Sequence, residues 1–548
     1  MAPRSALTPA VEKAAPFLAS LLLLGAFLAQ QAQERIVVDP SSARHLRRVE
    51  LALSANRTPQ IDRFIAHPAA TPLAEPPLFD TVLAVGARGV LGEDGGGGGR
   101  APNERRLERV LSQVGPLSLV VLLAVVYVAA RRFQPGGRRT PALVALLVVA
   151  CSPVLSEQTL AGRLSLGPTL AVLTALALIL VPSAVGARDS LDRLSAGLLL
   201  GLVTGVGLAI SSLFGGVALA VWATLLRAAW TAPISERAGA ARGGLLFSVG
   251  AVVIGLSPLF DGPWQGAPPG PVAEWARQVG IGGVVGCVPF ALAGLPGAGR
   301  LLGNRAANLA ILAACGALVW ARAGHLGLTV SSATSVLGAW PLAFAIAVLP
   351  GAEVGGSAGL RSCLRLAGLS TLVLALTDPE GSASFLVVAA LTAGALPFAV
   401  DRPPLLRRAG AVLVAGGIAV GLGGIAERAL RSPAPEIELV GTLRWLREHS
   451  VAPGPWNAAD ARQAWAVGCP RELASLVHYH ARRPTVTFEV GTLTDPAAWA
   501  RAAGVRYLLL AEQATESMDG FEPLRRAGAL SLWRSSAGPL PARASPAD

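Results

Sequence analysis

The sequence predicts a polytopic α-helical membrane protein of about 13 transmembrane helices, with a small C-terminal α/β soluble domain. Three observations predict it. First, 52% of the 548 residues are hydrophobic and only 15% are charged, against about 25% charged in a soluble domain. Second, apolar runs of roughly 20 residues, the length that crosses a bilayer, recur along the chain. Third, the arginines between those runs alternate from loop to loop, as membrane topology requires. The mean hydropathy is +0.54. The net charge of +12 does not point to nucleic acid, because the basic residues are scattered between apolar runs and form no single basic domain. Lys13 is the sole lysine, so nearly all of that charge is arginine.

Candidate spans fall near 15–31, 114–131, 141–155, 167–185, 194–211 and 214–230. They continue near 243–260, 278–298, 306–321, 326–349, 363–377, 383–400 and 409–427. The run 194–230 is interrupted only by "SSLFGG" and reads either as a tight hairpin or as one long tilted helix. With a cytoplasmic N-terminus, the inner loops hold Arg131, Arg132, Arg138, Arg139, Arg188, Arg193, Arg237, Arg242, Arg300, Arg305, Arg361, Arg365, Arg402, Arg407 and Arg408. The short outer loops hold Arg163, Arg277 and Arg322. The positive-inside rule then puts residues 32–113 and the tail on the non-cytoplasmic side of a cell (inner) membrane. The first span also reads as a signal peptide, since "FLAQQAQ" ends in small residues; cleavage there leaves the downstream topology unchanged. The expected divisions are 1–31 (N-terminal segment and first span), 32–113 (a large first loop), 114–429 (the multi-span region) and 430–548 (the soluble domain).

The first loop opens with "SSARHLRRVELALSAN", which has N-cap residues and helical apolar spacing at Leu46, Val49 and Leu53. A Pro-rich stretch, "TPQIDRFIAHPAATPLAEPPLFD", follows and is expected to be irregular. "GEDGGGGGR" is low-complexity, and "NERRLERVLSQV" is a helix leading into the second span. In the tail, "IELVGTLRWLREHS" is an amphipathic helix and "PTVTFEV" and "VRYLLLA" are strands. Between those strands, "DPAAWARAAG" is a helix with an Asp N-cap and a Gly beyond its end, which suggests a βαβ-like unit. No GxGxxG or P-loop implies a nucleotide site. Cys151, Cys287, Cys315, Cys363 and Cys469 show no zinc spacing and no disulfide framework. His478 and His480 alternate in "VHYHARRP" without an evident third metal ligand.

The window "VVDP…RHLRRVELAL…HPAATPLAEPPLFDTVLA" resembles the first outer loop of the oligosaccharyltransferase catalytic subunit and its bacterial relatives in the GT-C superfamily. That family has an Asp after the first span, a His-x-Arg-Arg-like helix and a W-P-P-L type turn; here Glu75 stands at the aromatic position. "AWAVGCPRELASLVHYHARRPTVTFEVG" is similar to the family's W-W-D-Y-G region. Trp465 and Gly468 keep that frame, and Val467 replaces its polar centre. In "SEQTLAGRLSLG", Ala161, Gly162 and Arg163 fit the second outer loop, while Ser165 and Gly167 stand where carboxylates or a His are expected. In "SVLGAWPL", Gly338 takes the place of a Glu.

The resemblance implies transfer of a sugar or oligosaccharide from a polyprenyl-phosphate-linked donor, with membrane lipids as neighbours and the acceptor unspecified. Carboxylates holding Mg²⁺ or Mn²⁺ would offset charge on the leaving phosphate. It places Asp39 and Glu157 as catalytic residues and metal ligands, with Asp62 as a substitute, and His45, Arg47, Arg48, Arg163 and Trp465 as substrate-binding residues. Against these stand simpler roles. Asp39 is a good helix cap, Arg47 and Arg48 suit lipid headgroups, and Trp465 suits packing. Two further readings stay open: a catalytically inactive or lipid-binding paralogue, and a transporter or flippase. The scarcity of ionisable residues within the spans argues against an ion-coupled carrier.

Overall fold

The computed structural model describes residues 39–55, 61–62, 71–72, 78–91, 104–133, 139–152, 155, 158–159, 163–186, 190–211, 214–256, parts of 279–294 and 384–391, 404–430, 434–450, 466–490, 493–511, 518–527 and 530–536, except 212–213. The expected spans 15–31, 306–321, 326–349 and 363–377 lie outside them, as do Glu157, Gly338 and Trp465.

Helix α1 spans Pro40–Ala55. It starts where Asp39 caps it, and it buries Leu46, Val49 and Leu53, the face expected from their spacing. Residues 61–62 (β1) and 71–72 (β2) form a two-residue antiparallel ladder inside the Pro-rich stretch. The end of that stretch is not irregular: "LFD" opens helix α2, Leu78–Leu91. Asp80 stands in the first turn of α2, where a carboxylate suits the helix dipole, and the next residues keep helical apolar spacing. Helix α3 (Glu104–Leu111) leads through a turn at 112–113 into α4 (Val114–Phe133), and the continuous stretch Arg106–Arg132 is long and apolar enough to cross a membrane.

Four helices among the described residues are long and apolar enough to cross a membrane: Arg106–Arg132, Gly167–Gly186, Leu191–Ile210 and Ser235–Gly255. The last three correspond to α6 (Gly167–Gly186), α7 (Ser190–Ile210) and α9 (Ile234–Gly255). Shorter apolar helices are α5 (Arg139–Ala150) and α8 (Gly215–Thr231). Helix α10 (Pro404–Leu430) covers the expected 409–427 span. Hydroxyls inside these helices are satisfied locally: Thr174, Thr204, Thr224 and Ser248 each donate to the carbonyl four residues back. This removes the cost of an unpaired donor in an apolar interior.

The break in 194–230 is a hairpin. Gly197 lies against Gly243, Gly201 against Phe247, and Gly205 against Ala251 and Ile254. The partners ascend together, so α7 and α9 run parallel, and α8 must return between them. At the start of the pair, buried Arg193 donates to the Glu236 carboxylate at 3.1 Å. Small residues at these positions let the two backbones touch, the usual route to helix association where no hydrophobic drive exists.

At the C-terminal end, α11 (Ala434–His449) precedes a five-stranded sheet of order β4-β3-β5-β7-β6. Its strands are β3 (Val467–Pro470), β4 (Thr485–Phe488), β5 (Tyr507–Ala511), β6 (Phe521–Ala527) and β7 (Leu530–Ser535). β3 pairs in parallel with β4 and with β5, and β7 pairs antiparallel with β5 and β6. The βαβ unit is therefore present with an insertion. β4 and β5 are linked by α12 (Pro496–Ala502) but do not touch, because β3 lies between them. Asp495 caps α12 by accepting from Ala498 N–H at 2.9 Å, and Gly504 follows it at φ +67°, the left-handed conformation that favours glycine.

All four residues of β3 are buried, which explains Val467 and Cys469 in that window: an interior parallel strand has no room for an uncompensated polar centre. Gly468 is required by contact, because a Cβ there would come within 2.8 Å of the Trp499 ring. Burial, with a smaller contribution from Glu472, pushes the Cys469 thiol well above its ordinary range. Stability from this thiol is fully present below the ordinary thiol value and is lost as pH rises above it. Cys469 is expected to resist maleimide at neutral pH and to react only on unfolding; rapid labelling of folded protein would contradict its burial.

Candidate functional site

The sequence-selected residues of the first loop lie on α1 and are fixed by three sets of bonds. At its start, Asp39 Oδ2 accepts from Ser42 N–H and from Ser42 Oγ–H, each at 2.9 Å. Ser42 Oγ in turn accepts the Leu164 N–H at 2.7 Å. Leu164 follows Arg163, so one serine ties the first-loop aspartate to the second predicted loop. This contact joins residues 122 positions apart, and neither local sequence announces it. Ser42→Ala is expected to lose about 1–3 kcal/mol, because a buried N–H is left without its acceptor. A thermal midpoint equal to wild type would remove the tether.

One turn further along, His45 and Arg48 meet Asp80 of α2. His45 Nδ1 lies 2.7 Å from Asp80 Oδ1, and Arg48 Nη1 donates to Asp80 Oδ2 at 3.4 Å. All three are buried, at 1%, 6% and 3% exposure. Phe79 meets the His45 ring edge-on at 5.1 Å between centroids. The other imidazole nitrogen, Nε2, is buried and has no hydrogen-bond partner among the described residues. A buried polar atom left so costs about 1–3 kcal/mol. Asp80 was not selected from the sequence; its signal was an acidic residue at helical spacing within "PPLFDTVLA".

Towards the other end of α1, Arg47 donates to Glu50 Oε2 at 3.1 Å, and Arg482 donates to the same oxygen. Glu50 is 5% exposed. Arg482 also stands over the Tyr479 ring at 5.4 Å and takes the left-handed conformation, φ 54°. Its neighbour Arg483 is fully buried, donating to Ser450 Oγ and to the Ser450 carbonyl at the end of α11. Burial lowers the Arg483 guanidinium from its ordinary value; Tyr507 opposes that shift and Arg447 adds to it. A parallel clamp joins α3 to α11, where both Glu108 oxygens accept from Arg444 at 3.0 and 3.1 Å. The first-loop helices are thus stapled to the C-terminal region by two carboxylates that the sequence reading did not select.

Of the residues expected to grip phosphate, Arg47 and Arg48 are already paired with Glu50 and Asp80, which offsets part of their charge. Arg163 is half-buried beside the Ser42 tether. His478 Nε2 bonds Thr485 Oγ1 at 2.7 Å, and both His478 and His480 are buried, as suits structural residues. Among the described residues no group of three or more His, Cys, Asp or Glu could hold a metal ion. Glu157 lies outside the described residues.

No family model and no curated protein matches the sequence. Solved structures do. They show a shared fold at low sequence identity. Among them, the chain is similar in fold to the oligosaccharyltransferase AglB of Archaeoglobus fulgidus. Its apo form aligns at a TM-score of 0.65 and 12% identity over 93% of this chain and 70% of that one. Its complex with Zn and sulfate gives 0.63 and 13% over 91% and 68%. Its complex with an inhibitory peptide and a dolichol-phosphate gives 0.58 and 12% over 91% and 70%.

Proposed function

We propose that the chain is a membrane glycosyltransferase of GT-C type. It transfers a sugar or oligosaccharide from a polyprenyl-phosphate-linked donor on the non-cytoplasmic face of the inner membrane. The observation that supports this most is the Asp39–Ser42–Leu164 tether, set in a chain that shares its fold with AglB over nine-tenths of its length. It joins the helix start at Asp39 to the backbone that follows Arg163, and in this reading an anionic lipid-phosphate and a reacting sugar meet there. That the neighbour was solved with a dolichol-phosphate fits the same donor class.

In this reading Asp39, with Oδ2 fixed by Ser42, presents its other oxygen to the reaction. Arg163 binds the phosphate, which an arginine fork grips bidentately. Arg47 and Arg48 contribute as cations held in place by their carboxylate partners. His45 adjoins the same helix face, and Trp465 precedes β3 as a packing or sugar-stacking ring. Asp39 and Glu157 are the proposed ligands of Mg²⁺ or Mn²⁺. Titration of Mn²⁺ into wild type, Asp39→Ala and Glu157→Gln tests them, with weaker binding expected in both variants; unchanged affinity in both removes the ligand assignment. For the function itself, purified protein given a labelled polyprenyl-phosphate sugar is expected to consume the donor, and Asp39→Asn to lose that turnover. Equal turnover in Asp39→Asn would overturn the role of Asp39.

A second reading is a lipid-binding paralogue without transferase activity. It is favoured by Ser165 and Gly167, which bring no carboxylate to the tethered loop, and by the capping role of Asp39. Saturable donor binding without turnover supports this reading over the first.

A further inference from the structure

Among the described residues, nothing covers one side of α2, and that side is apolar. Asp80, Leu83, Ala84, Ala87 and Leu91 are buried. On the opposite side Val82, Val85 and Val90 are 58%, 68% and 66% exposed. A Cβ added at Gly86 or Gly89, in the same stripe, meets nothing within 4 Å. A helix that runs over water carries charged or polar residues on its outer face; this stripe is valine and glycine, with Arg88 at its flank. At 14 residues the helix is about 21 Å long, too short to cross a bilayer. An apolar segment of about 10–14 residues suits a core helix or an interfacial one, and the open valine face does not belong to a core.

The neighbours of α2 set its level. It packs against α1 and α3 and touches α7, and its Leu83, Ala87 and Leu91 share a buried cluster with Leu107 and Leu111 of α3. Helix α3 leads into α4, a helix of spanning length whose Leu117, Val120 and Val121 are exposed. The open valines therefore stand beside the end of a span. Arg109 precedes Val114 by five residues, about 8 Å along a helix axis. The polar layer on each side of the hydrocarbon is about 5–8 Å deep. Arg88, Arg106 and Arg109 are all exposed. Arg47 and Arg48, which the sequence offered for headgroups, are turned instead to Glu50 and Asp80.

We infer that α2 lies in the membrane–water interface of the leaflet at which α4 begins. Its Val82, Val85 and Val90 face enters the acyl boundary, and Arg88, Arg106 and Arg109 meet lipid phosphates. The occupant is the bilayer, because the helix on which α2 packs is the one that enters it, and because the exposed arginines complement anionic headgroups. On its buried side, Asp80 meets His45 and Arg48, so this seat also sets the height of α1 above the leaflet. The inference stands whether or not the chain transfers sugar.

The test uses full-length protein in vesicles of equal parts phosphatidylcholine and phosphatidylglycerol, with Val85→p-benzoylphenylalanine as a photo-crosslinker. The same replacement at Leu117 of α4 and at Val490 beyond β4, 63% and 68% exposed, gives the positive and negative controls. Mass spectrometry after irradiation is expected to find lipid adducts at position 85 as at 117, and several-fold fewer at 490. Arg88 is a surface neighbour of position 85 on the helix. Arg88→Gln is expected to lower the phosphatidylglycerol share of the adducts at 85 by up to about fivefold, the equivalent of about 1 kcal/mol for one arginine at an anionic surface. A crosslink from position 85 to another segment of the chain or to a second copy overturns the inference, because protein then covers the face. Lipid capture at 85 no greater than at 490 overturns it as well, because the face then lies in water. An unchanged phosphatidylglycerol share overturns the headgroup contact.

Discussion

Glu50→Ala is expected to destabilise the protein by about 3–5 kcal/mol, the cost of breaking a buried pair by removing one partner. Two arginines converge on Glu50, Arg47 from its own helix and Arg482 from the C-terminal region. Their side chains keep only 12% and 16% exposure, so both cations would be left with little water. The damage should not stay local. Arg482 holds a left-handed backbone conformation, which for a non-glycine residue costs of order 1–3 kcal/mol and persists only where its surroundings hold it. Removing Glu50 removes one of those holds, and Arg483 beside it anchors the end of α11. Limited proteolysis should cut 450–490 earlier than in wild type. Glu50→Gln keeps an acceptor without the charge and should lose less. A Glu50→Ala protein with unchanged midpoint and unchanged cleavage would show that the staple contributes nothing to holding the two regions together.

Gly201→Leu is expected to prevent the α7–α9 pair from closing. A single Cβ at Gly201 would lie 2.4 Å from the Phe247 carbonyl oxygen and 2.9 Å from its Cα. The obstacle is helix backbone, so no rotamer change relieves it. Overpacking a tight core costs about 1–3 kcal/mol and occasionally more; here three further carbons must also be housed between parallel helices. The expected outcome is loss of monodisperse protein in detergent, or a clearly lower melting midpoint. Gly86→Ala is the matched control. It sits on helix α2 with nothing within 4 Å of the added carbon, so replacement should stabilise by up to about 1 kcal/mol through helix propensity. If both substitutions behave alike, contact between α7 and α9 is not what glycine provides at 201.

Much of the helical architecture was legible because length and hydropathy are local properties. The runs at 167–185, 194–211 and 243–260 became α6, α7 and α9. The helix after Asp39, the capped helix at Asp495 and the strands of "TVTF" and "YLLLA" were legible for the same reason: cap chemistry and side-chain period are written within a few residues. β3 was not legible as a strand, because four buried residues show no alternation and its two partners lie on later segments. The start of α2 was hidden by the prolines before it. The parallel course of α7 and α9 had a signal in the glycines at 197, 201 and 205, four residues apart. Hydropathy does not weigh spacing, so it does not register that signal.

For the candidate site, the sequence drew attention to α1 and could not assign its side chains their partners. Asp39, His45, Arg47 and Arg48 are consecutive enough to be noticed together. What each one does depends on Ser42 meeting Leu164, Asp80 meeting His45 and Arg48, and Glu50 meeting Arg482. Those partners come from 32 to 432 residues away. The sequence by itself determined that the chain is a largely apolar helical protein with a small α/β end and a polar helix after its first apolar run, because composition and period act over a single turn or strand. Only the tertiary structure decided that two of the arginines are held by buried carboxylates, that the aspartate closing the Pro-rich stretch meets the histidine, and that a serine joins the two loops. Hydrogen bonds and ion pairs form between atoms a few ångströms apart in space, and nothing in the order of residues fixes which distant atoms those will be.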